Sequence, residues 1–366
     1  MKKLRYLVAL MCAAAVALLG ATVAQPTSES NGVRTLRTPP VMGLAADGSF
    51  AAVATVCGAN EYRLYAWNPV RRRVVSMARR RERRCYGAST GEGVWEAGIA
   101  GRRLAWVPFS GGNFQQAWLV TAAITRPRAT TQLTEMMDRN THNFVGTWVG
   151  NVHGDGPLLV FNTWSACEST PEGGSCPEGT PPGIHIYDEK IWRIIGRRRR
   201  LMLATPDEAS VLAVAAGRIL VQHADGSLEL RRADGSLVRA FPFGPKEVRG
   251  AVLDASELVV LQRSGRLTWR VYDLLSGDER ARPAPAGATL ADVERGLLVY
   301  TRGRTVHVLR LADGRQTIFR TPPPTTGCAC PPSPHAQLEP SGLFYSYQVR
   351  GEGRVRFIPF NQIRFR

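Results

Sequence analysis

Lysine is almost missing from this chain. Beyond residue 24 only Lys190 and Lys246 remain, so nearly all of the positive charge is arginine. A second long apolar run is missing too. After Leu7–Leu19 no stretch approaches the roughly 20 residues a helix needs to cross hydrocarbon, which argues against a bundle of membrane-spanning helices. Helical periodicity is also lacking. Only a turn around Thr134–Asn140 has any of that spacing, which argues against bundles and βαβ folds. The six histidines, His142, His153, His185, His223, His307 and His335, form no His-x-His or His-Glu-x-x-His pair, so no metal centre of local spacing is expected. One sequence match to a nucleophile elbow, Gly87-Ala88-Ser89-Thr90-Gly91, sits between an arginine cluster and a strand-like run. The elbow needs a strand before it and a helix after it, so the stretch reads as a flexible loop.

What is present begins with a leader. MKKLRY followed by LVALMCAAAVALLGATVA combines a basic start, an apolar run and small residues, the pattern of a secretory signal over residues 1–24. Cleavage after Ala24 or Ala21, or retention as an anchor, all fit. Six cysteines follow it: Cys57, Cys85, Cys167, Cys176, Cys328 and Cys330. An even number in an exported chain suggests disulfides. Proximity favours Cys167–Cys176 across CESTPEGGSC, then Cys57–Cys85, leaving Cys328 and Cys330 of TGCACPP as a strained pair or, with His335, part of a metal site. Zinc would want a fourth ligand and longer spacers, so no metal is assigned.

The tetrapeptide Ala-Asp-Gly-Ser occurs at Ala224–Ser227 and again at Ala233–Ser236. Asp-Gly between alternating runs is a strong hairpin signal, because both central residues tolerate positive φ. Two such turns nine residues apart describe one antiparallel meander with a short strand between them. Written in register, the unit recurs at 217–241, 257–283, 296–322 and 342–363, and less tidily at 48–77, 102–124 and 156–195. The last of these carries an inserted loop over 165–183. Seven units at this spacing match the period of four-stranded propeller blades. The fold expected is therefore all-β, a single β-propeller of seven four-stranded antiparallel sheets over 41–366. The last unit shows only three strands, and GVRTLRT (32–38), within an N-terminal segment 25–40, belongs to no unit. It is expected to supply the outer strand of the last blade and close the ring.

WRVYDLLSGDE (269–279), with its echoes in HVLRLADGRQ and IHIYDEKIW, resembles the third-strand ending of WD40-type and quinoprotein-like blades. The Gly-His pair and Trp-Asp dipeptide of WD40 repeats are missing, and so is the tryptophan-docking pattern of quinone-cofactor propellers. No cofactor is expected, and a TolB-like or generic secreted propeller is the safer likeness. Trp67, Trp95, Trp106, Trp118, Trp148, Trp164, Trp192 and Trp269 fall mostly in or beside strands and read as filling between blades. Trp164, next to the insertion, could also stack a carbohydrate ring.

Removing the three basic residues of the leader from the net charge of +17 leaves +14. Arginine gathers in three runs: Arg71, Arg72 and Arg73; Arg79, Arg80, Arg81, Arg83 and Arg84; and Arg197, Arg198, Arg199 and Arg200. The first two should sit at opposite ends of one strand. A GC-rich genome inflates arginine overall and explains clustering in turns less well. Such runs would attract a protein or an anionic envelope polymer with salt-sensitive affinity. Nucleic acid is disfavoured by export and by the lack of a recognition helix. The expectation is a secreted, monomeric, non-enzymatic binding protein at the cell envelope. The alternative is a hydrolase or lyase for a glycan or lactone, with its site assembled at the channel.

Overall fold

Alternating apolar and polar residues interrupted by glycine turns can satisfy their backbone only in ladders. Apart from a single 3-10 turn at Phe360–Gln362, every regular element is a strand among the described residues. In the computed structural model these are 25–28, 32–58, 61–81, 91–111, 114–134, 137–140, 145–170, 173–323 and 334–365.

The strands form seven antiparallel sheets around a channel. Blade 1 is Val41–Asp47, Phe50–Gly58, Glu61–Asn68 and Arg73–Arg81. Blade 2 is Gly91–Ala100, Arg103–Gly111, Val120–Ala123 and the two-residue strand Thr131–Gln132. Blade 3 is Val145–Asp155, Leu158–Thr170, Gly183–Ile195 and Arg198–Thr205. Blade 4 is Ala209–Ala215, Arg218–His223, Leu228–Arg232 and Leu237–Phe241. Blade 5 is Val248–Leu253, Glu257–Ser264, Arg266–Asp273 and Glu279–Pro283. Blade 6 is Ala288–Glu294, Leu297–Arg302, Thr305–Arg310 and Gln316–Arg320. Blade 7 is Ala336–Glu339, Gly342–Val349 and Glu352–Pro359, completed by Arg34–Thr38. The first strands of the blades touch one another around the ring and line the channel.

The ring closes as the unclaimed N-terminal strand suggests. Arg34–Thr38 pairs antiparallel with Glu352–Pro359, Leu36 opposite Val355, and Gln25–Ser28 adds a fifth strand outside it. Leu36 is fully buried beside Trp67, Val53, Phe344 and Phe357, in the cluster that joins blade 7 to blade 1. Each of the other six interfaces holds one such cluster, so the core is a ring of seven. Trp67, Trp106 and Trp269 fill it as expected.

The doubled Ala-Asp-Gly-Ser forms the turns at the two ends of Leu228–Arg232, whose Leu228 and Leu230 are both buried. In each turn the Asp Oδ1 accepts from the Ser amide and hydroxyl: Asp225 at 2.9 and 2.6 Å, Asp234 at 2.9 and 2.7 Å. Gly226 and Gly235 have φ of +89° and +91°, and a Cβ would stand 2.2 Å from Gly244 O and 2.3 Å from Met202 O. Glycine is required there twice over, by conformation and by the neighbouring backbone.

Two expectations change. The insertion over 165–183 is the far end of a long hairpin: strand continues to Thr170 and resumes at Gly183, and the Cys167–Cys176 disulfide ties its tip, Cα atoms 5.1 Å apart. Residues 137–140 form a strand, not a helical turn, pairing with Phe114–Ala117 and joining the sheets of blades 2 and 3. Asp155, beside the Gly156 turn, bonds the next blade, as described below. The leader, the Gly87–Gly91 match except its last residue, Cys85, Cys328, Cys330 and the side chain of Cys57 lie outside the described residues.

Leu36→Ala should destabilise the fold by about 2–5 kcal/mol, as for other buried leucine truncations. Chemical unfolding would measure it, and a loss under about 0.5 kcal/mol would mean that Leu36 does not seal the ring. Gly226→Ala should lower stability by at least about 1 kcal/mol through positive φ and the clash with Gly244. An unchanged midpoint of unfolding would contradict that requirement.

Candidate functional site

Each blade's first strand ends at the same mouth of the channel, and there the sequence places carboxylates: Asp47, Asp155, Asp254, Asp292, Glu294 and Glu339. They come from blades 1, 3, 5, 6 and 7 and surround a cavity of about 220 Å³. Nearly all reach into a neighbouring blade. Glu339 accepts from Gly48 N at 2.8 Å, Asp155 from Ala216 N at 2.7 Å, Asp254 from Arg295 N at 2.9 Å and Asp292 from Leu338 N at 2.8 Å. Asp47 accepts from Gly101 N of blade 2 and, at 3.2 Å, from Gly156 N of blade 3. Between blades 4 and 5 the Arg218 guanidinium donates instead, to Asp254 O at 3.2 Å and Ala255 O at 2.6 Å. Between blades 2 and 3 Glu96 accepts from Val152 N at 3.0 Å. A polar clip thus spans every interface at or near the channel.

Burying these carboxyls among one another raises their affinity for protons. Desolvation, reinforced by neighbouring carboxylates, pushes Asp292 up to about 8, Glu294 to about 7 and Glu339 to about 9. Burial raises Asp155 as well. Deeper in, a cavity of about 230 Å³ is walled mainly by small aliphatic side chains, with His153, Asp292 and Gln337 among them. Burial lowers His153 to about 4. Among the described residues no His, Cys, Asp and Glu side chains are grouped to hold a metal ion.

These carboxylates were legible only in register. Asp47-Gly48, Asp155-Gly156, Asp254-Ala255, Glu294-Arg295-Gly296 and Glu339-Pro340 occupy one position of the repeat, the end of the first strand. Searching for local ligand spacings passes over residues that lie tens of positions apart.

The arginine runs fall elsewhere. Antiparallel meanders put the third-to-fourth-strand turn of each blade on the same face as the acidic mouth. Arg71, Arg72 and Arg73 occupy that turn in blade 1, and Arg197–Arg200 occupy it in blade 3 and run into its outer strand. The corresponding connection of blade 2 carries Arg126 and Arg128. Arg197 Nε donates to Thr131 Oγ1 of blade 2 at 2.8 Å, and Arg199 lies over the Trp192 ring at 4.4 Å. In blades 4, 5 and 6 the same turn is closed by Asp234, Asp273 and Asp313, each accepting from turn amides. The face is therefore divided, arginine over blades 1–3 and aspartate-capped turns over blades 4–6. Arg79–Arg81 end the strand that Arg73 begins, at its opposite end; their side chains, and Arg83 and Arg84 altogether, lie outside the described residues. Trp164 stacks on Trp148, ring centroids 6.1 Å apart, leaving one face of the indole covered.

The fold defines the class, a seven-bladed β-propeller. No family model and no curated protein matches the sequence. Among solved structures the chain is similar to the Pyrococcus horikoshii acylaminoacyl peptidase at 11% identity and a TM-score of 0.52, covering 84% of this chain and 49% of that one. It thus spans about half the length of that peptidase. It is also similar to the β-propeller domain of Myceliophteria thermophila Cps50 (Swd1), at 11% identity and a TM-score of 0.49, covering 88% and 98% of the two chains. A puromycin hydrolase is similar at 15% identity and a TM-score of 0.42, over 90% of this chain and 59% of that one. At such identities the likeness is one of fold.

Carboxyls that keep their protons when folded and lose them near pH 4 when unfolded make stability fall as pH rises. Burial lowers His153, His307 and His335 below the ordinary histidine range, so these three do not oppose the effect above pH 7. Thermal unfolding midpoints should drop between pH 7 and 9, and Glu339→Gln should flatten the drop. A midpoint that rises over that interval would show that the acidic mouth carries no excess protons.

Proposed function

We propose that this propeller is an exported binding protein whose arginine half-face, over blades 1–3, attaches it to an anionic partner at the cell envelope. The observation that carries the reading is the division of one face. Blades 4–6 close this turn with Asp234-Gly235, with Asp273 four residues before Gly277 and with Asp313-Gly314, so arginine is not needed for turn geometry. Among the described residues Arg71, Arg72, Arg73, Arg126 and Arg128 make no ion pair, which leaves their charge available to a ligand. The leader-like first 24 residues and the Cys167–Cys176 disulfide support an oxidising, extracytoplasmic setting. No helix among the described residues is long and apolar enough to cross a membrane.

Long-chain polyphosphate is a suitable probe. Binding by the protein lacking residues 1–24 should weaken steadily as salt rises, because the Debye length shrinks from about 30 Å at 0.01 M to about 10 Å at 0.1 M. Replacing Arg71–Arg73 and Arg197–Arg200 with Ser should weaken binding at least about tenfold, while replacing Arg280, Arg282 and Arg315 of blades 5 and 6 should not. Equal losses in both variants would return the arginines to overall composition.

A hydrolase or lyase acting on a glycan or lactone is the second reading. One observation favours it: carboxyls protonated near neutral pH surround the channel mouth and could donate protons. Their bonds to turn amides favour a structural role instead. Turnover of an aryl glycoside or lactone that Asp292→Asn abolishes, with the fold intact, would establish the enzyme reading.

A further inference from the structure

Blade 2 ends in an outer strand of only two residues, Thr131–Gln132. Beside this short strand a groove of about 730 Å³ opens on the circumference of the ring, between the outer strand of blade 1 and the Pro127–Thr130 connection. Its long wall is Arg73–Ala78. That strand pairs inward with Glu61–Asn68 and has no strand on its outer side among the described residues, so alternate amides and carbonyls face the groove. Val75 and Ala78 offer partly buried apolar surface, and Met77 sits in a bulge between the pairs Leu64–Ala78 and Tyr65–Ser76. Charge is one-sided. The segments 69–78 and 124–134 hold Arg71, Arg72, Arg73, Arg126 and Arg128 and no carboxylate.

We propose that this groove takes an extended acidic polypeptide segment, which pairs with Arg73–Ala78 as a fifth strand of blade 1. Three observations select a polypeptide. An open row of backbone donors and acceptors is complementary to another strand, and strand addition to a sheet edge is a general mode of peptide recognition. A six-residue wall matches about 20 Å of extended chain. The molecule already does this to itself: Gln25–Ser28 is a fifth strand on the outer edge of blade 7. Direction follows from the ladders, all of which are antiparallel. The incoming segment would run against Arg73–Ala78, so its C-terminal residues lie by Arg73 and Arg128, and those residues carry the carboxylates. β-Branched residues before them suit the strand wall. This groove shares Arg73 and Arg128 with the arginine half-face of the polyphosphate reading but asks for a strand and not only for negative charge. Its test reads backbone pairing, so either can fail while the other stands.

The probe is a labelled peptide, Thr-Val-Thr-Val-Thr-Glu-Asp, with two controls: the same composition with the acidic pair moved to the N-terminus, and a version with Pro at alternate positions, which cannot ladder. Anisotropy should show saturable binding of the first peptide, weakened about tenfold by Arg73→Ser with Arg128→Ser. The N-terminal acidic control should bind more weakly. Hydrogen exchange should slow at groove-facing amides of Val74–Ala78 on adding the first peptide, and not on adding the proline version. No binding below about 1 mM, or equal binding of the proline version without protection at Val74–Ala78, would overturn the proposal.

Discussion

A ring of sheets has no hub. Each blade packs on two neighbours only, so every interface must be filled, and the seventh can be filled only by bringing distant segments together. Apolar clusters between blades supply most of the attraction, yet they are non-directional and allow one sheet to slide over the next. The carboxylate-to-amide bonds at the channel mouth fix the relative height of the blades, because Glu339, Asp155 and Asp254, each at the end of a first strand, meet a turn amide of the next blade. Asp47 of blade 1 reaches blades 2 and 3 at once, and Arg218 stands in where blade 4 has alanine. Collecting carboxylates this closely is unfavourable to their charge. That cost appears as a raised affinity for protons at Asp292, Glu294 and Glu339.

The same repeat position is used differently around the ring, and so is the outer turn. In blades 4–6 an aspartate bonds its own turn amides and the exposed charge is balanced by nearby arginines, as in Arg310–Asp313 and Arg270–Glu279. In blade 1 Asn68 takes the aspartate's role, its Oδ1 accepting from Arg71 N at 2.8 Å, and in blades 1–3 the turn carries arginines and no aspartate. Sequence divergence among blades has therefore produced a molecule with a chemically polarised face from a nearly uniform scaffold. Shape is shared by all blades, and charge distinguishes them.

The architecture was readable because it rests on local signals. Glycine turns, period-two strands and the stray strand at 32–38 each point to the same closed ring. The Cys167–Cys176 bond was equally local. Three features were not. The long hairpin of blade 3 looks like a loop because Pro, Gly and Cys cluster at its tip, while its ladder, His185 opposite Cys167 and Tyr187 opposite Ser165, is set by pairing across the strands. The short outer strand of blade 2 and the strand at 137–140 have too few residues to show a period. The acidic mouth is assembled from positions about 40 to 110 residues apart and becomes visible only when repeats are aligned by the end of the first strand.

Closure through Arg34–Thr38 also sets an order of events in time. Leu36 and its partner Val355 are 319 positions apart. At synthesis rates of about 5–20 residues per second, roughly 15 to 60 s separate the first strand from the one it must meet. Contacts this distant in sequence add a large loop-closure cost and slow folding. Until Glu352–Pro359 emerges the nascent chain is an open arc, with Val53, Tyr65 and Trp67 facing water on one end and no partner for the last blade on the other. Its first interface is completed last, and until then that bare face is open to any other apolar surface it meets.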